Sequence, residues 1–163
     1  LREVLHSCFA GASARGVMAV DKHDLLVLGG DFNFRLALPP GADLDVLRGT
    51  LAKGWPQSSA SVDGGCVGDG VVAGTCPDMR PFAAYDELAG ERASNRDVAD
   101  VLREFGLTEG PVRFPATYRL LHGSTAYDAE RAPAWCDRIL HSRLGAVRRR
   151  YCAMGGLAQS DHR

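Results

Sequence analysis

Pro133-Ala134-Trp135-Cys136-Asp137-Arg138-Ile139-Leu140 sets an acid and a base inside an otherwise apolar run. A Trp-Cys-x-x-Ile-Leu frame predicts a buried strand, and a carboxylate there is costly unless it is paired, hydrogen-bonded or near a metal. Composition alone also allows a structural reading, an internal Asp137–Arg138 ion pair. The choice between structure and chemistry rests on two other stretches, Gly30-Asp31-Phe32-Asn33-Phe34-Arg35 upstream and Ser160-Asp161-His162-Arg163 downstream.

In this order the three segments resemble the inositol polyphosphate 5-phosphatases. That family carries a Gly-Asp-Leu-Asn-Tyr-Arg type motif, then Pro-Ala-Trp-Cys-Asp-Arg, then Ser-Asp-His. Phe32 and Phe34 replace Leu and Tyr in the first; the second is intact. Between them, Phe114-Pro115-Ala116-Thr117-Tyr118-Arg119 is similar to the family's Phe-Pro-Pro-Thr-Tyr-Lys segment. The resemblance runs from about His23 to Arg163. The first and third motifs alone would suggest only the wider endonuclease, exonuclease and phosphatase superfamily.

With 163 residues, 45% of them hydrophobic, the chain can bury one core, so a single globular unit is expected. The formal charge of −1 argues against wholesale nucleic-acid binding. Cys8, Cys66, Cys76, Cys136 and Cys152 form no Cys-x-x-Cys pair and no zinc spacing. An odd count without a signal peptide predicts reduced thiols and a cytoplasmic location. No apolar run reaches membrane-spanning length, so any membrane contact would be peripheral.

Along the chain, Leu1, Val4, Leu5, Cys8 and Phe9 recur at helical spacing. Asp24 to Gly30 is a continuous apolar run closed by glycines, expected of a central strand covered on both faces, with Asp31 and Asn33 emerging on one side of its end and Phe32 on the other. The bland alternative is a turn in which Asp31 and Asn33 only cap backbone donors. Asp43 caps a helix carrying Leu44, Leu47 and Leu51, which Gly54 and Pro56 stop. Residues 57–77 predict a flexible surface insertion. A second helix runs from Pro81 to about Leu88, and a third carries Val98, Val101, Leu102 and Phe105 and ends at Gly106. Val112 to Leu121 reads as a strand interrupted by Pro115, and Val147 to Tyr151 as another. Alternating helices and strands give α/β. The resemblance sharpens this to part of a DNase I-like four-layer sandwich, two packed β-sheets flanked by helices, with residues 1–163 forming a partial catalytic domain.

Phosphate monoester hydrolysis requires a nucleophilic water, neutralised phosphoryl oxygens and help for the leaving alkoxide. Asp31 and Asp161 are hard oxygen donors suited to Mg²⁺ or to accepting the water's proton, Asn33 can donate to a phosphoryl oxygen, and His162 can meet developing negative charge. Asp137 fits as the group fixing the tautomer of His162.

The resemblance implies the same roles: Asp31 as general base, water-positioning group or metal contact, Asn33 on phosphate, Asp137 as the orienting acid, Asp161 near Mg²⁺ and His162 on the scissile phosphate. It assigns recognition of a neighbouring ring phosphate to Tyr118, Arg119 and Arg131; Ala129 stands where many members carry Lys. Arg138 either binds phosphate, the reading we favour, or pairs with Asp137. The family's metal-binding Glu, from an upstream strand, has no counterpart here, so these residues alone are expected to bind metal poorly and turn over little. Arg143, Arg148, Arg149 and Arg150 are a solvated face or a contact to anionic headgroups. The expected activity is Mg²⁺-dependent removal of the 5-phosphate of inositol polyphosphates or phosphoinositides. A nuclease of the same superfamily, or a non-catalytic scaffold, are the alternatives.

Overall fold

The computed structural model describes residues 3, 5, 23–55, 66–68, 80–88, 96–142, 151–155 and 158–163. In chain order the elements are β1 (Val27–Asp31), α1 (Leu44–Ala52), β2 (Cys66–Gly68), α2 (Arg80–Ala83), α3 (Arg96–Glu104), β3 (Leu107–Glu109), β4 (Asp137–Ser142) and β5 (Cys152–Met154). Strands β1, β4 and β3 form one antiparallel sheet in that order, and β2 pairs with β5 in a separate two-stranded ribbon.

β4 sits at the centre because its alternate residues face two environments. Arg138 and Leu140 are buried on one face; on the other, Ile139 is 50% exposed. Its register with β1 sets Leu140 opposite Leu28, Ile139 opposite Gly29 and Asp137 opposite Asp31. Leu140 packs with Leu5, Leu88, Val98, Val101 and Leu107, and Leu28, Phe32, Phe34 and Leu102 close around them. This is where the apolar stripe of α3 goes, and Gly106, at φ 60°, turns the chain from that helix into β3.

The second core gathers Leu36, Leu47, Leu51, Trp55, Phe114, Leu120, Tyr127, Trp135 and Tyr151. Asp43 caps α1 as expected, its Oδ1 accepting from the amides of Asp45 and Val46 at 3.0 Å each. Leu47 and Leu51 then face inward. Each large aromatic finds a partner for its polar end: Trp55 Nε1 donates to Tyr127 Oη (3.0 Å), Tyr127 to the Ala116 carbonyl (2.6 Å) and Trp135 Nε1 to the Phe114 carbonyl (2.9 Å).

Several expectations change. Val112 to Leu121 is not a strand. Pro111, Pro115 and Pro133 interrupt the backbone donors a ladder needs, leaving only the isolated bridges Tyr118↔Ala134 and Leu120↔Tyr127. The neighbouring strand is instead Leu107–Glu109. β1 is covered on one face only: Val27 is 57% exposed and Leu25 45%. The second helix is one turn, Arg80–Ala83. Within residues 57–77, expected to be a flexible surface insertion, Cys66–Gly68 forms β2 and pairs with β5; the rest of that segment lies outside the described residues. Cys152 is disulfide-bonded, contrary to wholly reduced thiols, whereas Cys136 is free and buried. Of the strand expected from Val147 to Tyr151 only Tyr151 is described, just before β5; Val147 and the arginines at 143 and 148–150 lie outside the described residues, as do most positions of the expected N-terminal helix, of which Glu3 and Leu5 are helical. Among the described residues no helix is long and apolar enough to cross a membrane.

Candidate active site

The antiparallel register of β1 and β4 puts Asp31 directly across from Asp137, at the end of one strand and the start of the other. Both carboxylates share the open face. Beyond Asp31 the chain leaves the sheet through a tight turn: Asp31 Oδ1 accepts from the amide of Asn33 at 2.9 Å, and Asn33 adopts φ 58°. Asn tolerates this left-handed conformation better than most side chains. The capping turn and the site are therefore the same structure. Phe32 and Phe34 point away and stack at 6.2 Å, their rings against the core beneath the sheet.

The C-terminal segment lies along residues 117–124. Leu120 donates to the Asp161 carbonyl (2.9 Å), the Arg163 amide to the Thr117 carbonyl (3.0 Å), and Gly123 to the Ala158 carbonyl (2.9 Å). His162 is thereby held over β4. Its Nδ1 lies 2.9 Å from Asp137 Oδ2, and its Nε2 is 4.0 Å from Asp31 Oδ2. An ionised carboxylate only accepts, so Nδ1 carries the proton and Nε2 faces the open site. Asp137 Oδ2 also accepts from Thr117 Oγ1 at 2.8 Å. Thr117 is 2% exposed and was not among the residues read from the sequence. Its signal was its place just before Tyr118-Arg119.

The Tyr118 ring lies 4.8 Å from that of His162, and the Arg35 guanidinium is 4.7 Å from the Tyr118 ring centre. Arg35 Nη2 also donates to Asn33 Oδ1. Arg119 Nε is 3.3 Å from Asp161 Oδ2, with Glu130 and Asp128 at 3.6 and 3.8 Å from its Nη1. Arg131 is exposed at the rim, where its carbonyl accepts from Arg48 Nη2 at 3.3 Å. Asp31, Asn33, Tyr118, Asp137 and His162 thus come together, and Arg119 with Asp161 adjoins them.

Arg138 does not join them, and this corrects the favoured reading. Adjacent strand residues point to opposite faces, so Arg138 turns away from Asp137 into the core, 1% exposed. There it grips both oxygens of Glu109 (Nε 2.8 Å, Nη2 2.5 Å) and donates through Nη1 to Asp86 (2.9 Å). Burial alone would lower its pKa, but these carboxylates reverse the sign and raise it. Tyr151 Oη donates to the same Glu109 at 2.5 Å. Burial and the Glu109 charge both raise the phenol's pKa. Cys136, buried just before β4 with its thiol on the Phe34 carbonyl, has that thiol pushed up to about 12, chiefly by burial, and Arg35 opposes this only partly. It is no nucleophile.

Asp31 and Asp161 have the donor chemistry for a hard divalent cation. Among the described residues, however, no three His, Cys, Asp or Glu side chains converge to hold one.

Residues 74–163 match the family model described as Endonuclease/Exonuclease/phosphatase family 2. The chain belongs to this family. It is 29% identical over 149 residues to the mouse type II inositol 1,4,5-trisphosphate 5-phosphatase, covering 90% of this chain but 12% of that relative. It is 41% identical over 66 residues to type I inositol polyphosphate 5-phosphatase 2 of Arabidopsis thaliana, covering 36% of this chain and 10% of the relative. Among solved structures it resembles the inositol polyphosphate 5-phosphatase domain of SPsynaptojanin, in complex with inositol (1,4)-bisphosphate and a calcium ion. That match has a TM-score of 0.56 at 25% identity and covers 86% of this chain and 32% of that one. The Cimex nitrophorin ferrous NO complex, at TM-score 0.51 and 19% identity over 87% of this chain and 41% of that one, shares the fold alone. The family member described here therefore spans only a small part of the curated relatives' length. The DNase I-like architecture expected from the motifs is the one these structures share.

Proposed function

We propose that this chain carries part of the active site of an inositol polyphosphate or phosphoinositide 5-phosphatase. The observation that carries the proposal is the line Asp137–His162–Asp31: one carboxylate fixes the imidazole, and the free imidazole nitrogen faces a second carboxylate across an open site.

In this reading water attacks the 5-phosphorus on the side away from the ring oxygen. The P–O bond to the ring breaks, and the leaving ring alkoxide takes up a proton from solvent to become a hydroxyl. Asp31 orients the water and takes its proton. Asn33 Nδ2 donates to a phosphoryl oxygen, and His162, oriented by Asp137, stabilises the negative charge gathering there when Nε2 also carries a proton and donates it as a hydrogen bond. The resemblance to SPsynaptojanin supports this substrate class, since inositol (1,4)-bisphosphate is what remains when inositol 1,4,5-trisphosphate loses its 5-phosphate. Tyr118, Arg119 and Arg131 would meet a neighbouring ring phosphate; Arg119 lies within 3.8 Å of three carboxylates, so an incoming phosphate competes with them for it.

Mg²⁺ is the proposed cofactor, with Asp161 as its ligand in this chain and metal contact by Asp31 as the alternative to its role as base; when bound it would neutralise phosphoryl charge as a Lewis acid. A cytoplasmic location, with peripheral contact to anionic membrane when the substrate is a lipid, belongs to the same proposal. The test is phosphate release from inositol 1,4,5-trisphosphate and phosphatidylinositol 4,5-bisphosphate by the full-length protein, with Asp31→Ala as control. Mg²⁺-dependent release abolished in the control is expected. A well-folded, metal-loaded protein that releases none, or that cuts abasic DNA instead, contradicts the proposal.

A further inference from the structure

Arg35 touches two site residues through two different kinds of contact, and neither contact is explained by packing. Its guanidinium donates to Asn33 Oδ1 and lies 4.7 Å from the centre of the Tyr118 ring, which in turn sits 4.8 Å from His162. The backbone makes the first contact possible. With φ at 58°, Asn33 folds the chain so that residues 33 and 35 turn to the same side, while Phe32 and Phe34 enter the core.

The two ends of a carboxamide have nearly the same shape but opposite polarity. A free Asn33 could present either its oxygen or its NH₂ to an incoming anion, and only the NH₂ is attractive. A guanidinium has five N–H donors and no acceptor, so it accepts only the oxygen end as neighbour. Arg35 therefore decides which way the amide points: Oδ1 inward, Nδ2 free for the open site. The same cation lies over the Tyr118 ring in a cation–π contact.

We propose that Arg35 is a positioning residue for phosphoryl recognition, one that locks the Asn33 amide with its donors outward and seats Tyr118 against His162. The nature of the anion rests on the phosphatase reading; the orientation of the amide does not.

The test is a double-mutant cycle in the full-length protein: wild type, Arg35→Met, Asn33→Ala and the double variant. Two readouts run in parallel, kinetics of phosphate release from inositol 1,4,5-trisphosphate and calorimetric binding of inorganic phosphate in Mg²⁺. With Asn33 in place, Arg35→Met should lower kcat by roughly tenfold or more with KM within about threefold, and should weaken phosphate binding by roughly fivefold. In the Asn33→Ala background both effects should shrink to below about twofold. Arg35→Lys, which keeps the charge and guards against a folding defect in the Met variant, should leave KM near wild type but kcat still lowered by roughly fivefold. Equal losses in both backgrounds would overturn the proposal. Should wild type release no phosphate, the 5-phosphatase reading fails, and the phosphate-binding cycle still decides Arg35.

Discussion

Asp137 Oδ2 receives two hydrogen bonds, from Thr117 Oγ1 and His162 Nδ1, and this fixes a carboxylate that is otherwise a third exposed. Substituting Asp137→Asn removes the charge that holds the imidazole tautomer. It should lower kcat by about 10²–10⁴-fold with little change in stability, measured by steady-state phosphate release alongside a thermal melt. The Cys136 thiol makes a prediction of the opposite kind. Its folded pKa is raised from 9.0 to about 12, so the stability it confers is whole below pH 9 and is lost as pH climbs toward 12. Native alkylation of Cys136 should stay slow at pH 9, where an exposed thiol reacts readily, as peptide mass spectrometry would show. Asp31, Asn33, Asp137, Asp161 and His162 were legible in the sequence because their motifs combine unusual residues at fixed offsets. Thr117 and Arg35 were not assigned, since a hydroxyl or a guanidinium shows its target only once the chain has folded. Arg138 was legible in principle: the period of two in a strand forbids it from sharing a face with Asp137.

At the level of elements, Arg138 binds β4 to Glu109 on β3 and to Asp86, all nearly excluded from solvent. Replacing it with Met leaves two buried carboxylates without their cation. The expected loss is about 3–5 kcal/mol, read from denaturant unfolding, and pairing Arg138→Met with Glu109→Gln should recover part of it. Asp43 offers a smaller test: its carboxylate satisfies two amides at the start of α1, so Asp43→Ala should cost about 1 kcal/mol in the same assay. Helices α1 and α3 could be read from spacing because a cap, an apolar stripe and a terminating glycine agree. Residues 112–121 could not. Their β-branched and aromatic content suggests a strand, but the prolines remove it and the buried Trp and Tyr polar ends fix an irregular path.

At the scale of the whole molecule, the sheet has one finished face. Beneath it lie the apolar core and the Arg138 network; above it Leu25, Val27 and Ile139 are exposed beside Asp31 and Asp137. β1 was expected to be covered on both faces because an apolar run reports how hydrophobic a strand is, not which of its faces is met.

The most direct measurement is the identity of the product formed by the full-length protein from inositol 1,4,5-trisphosphate in Mg²⁺, resolved by ³¹P spectroscopy. The account predicts inositol 1,4-bisphosphate and free phosphate, with the reaction lost in Asp137→Asn and in Asp31→Ala. Loss of the 1- or 4-phosphate instead, or turnover that survives both substitutions, would contradict it.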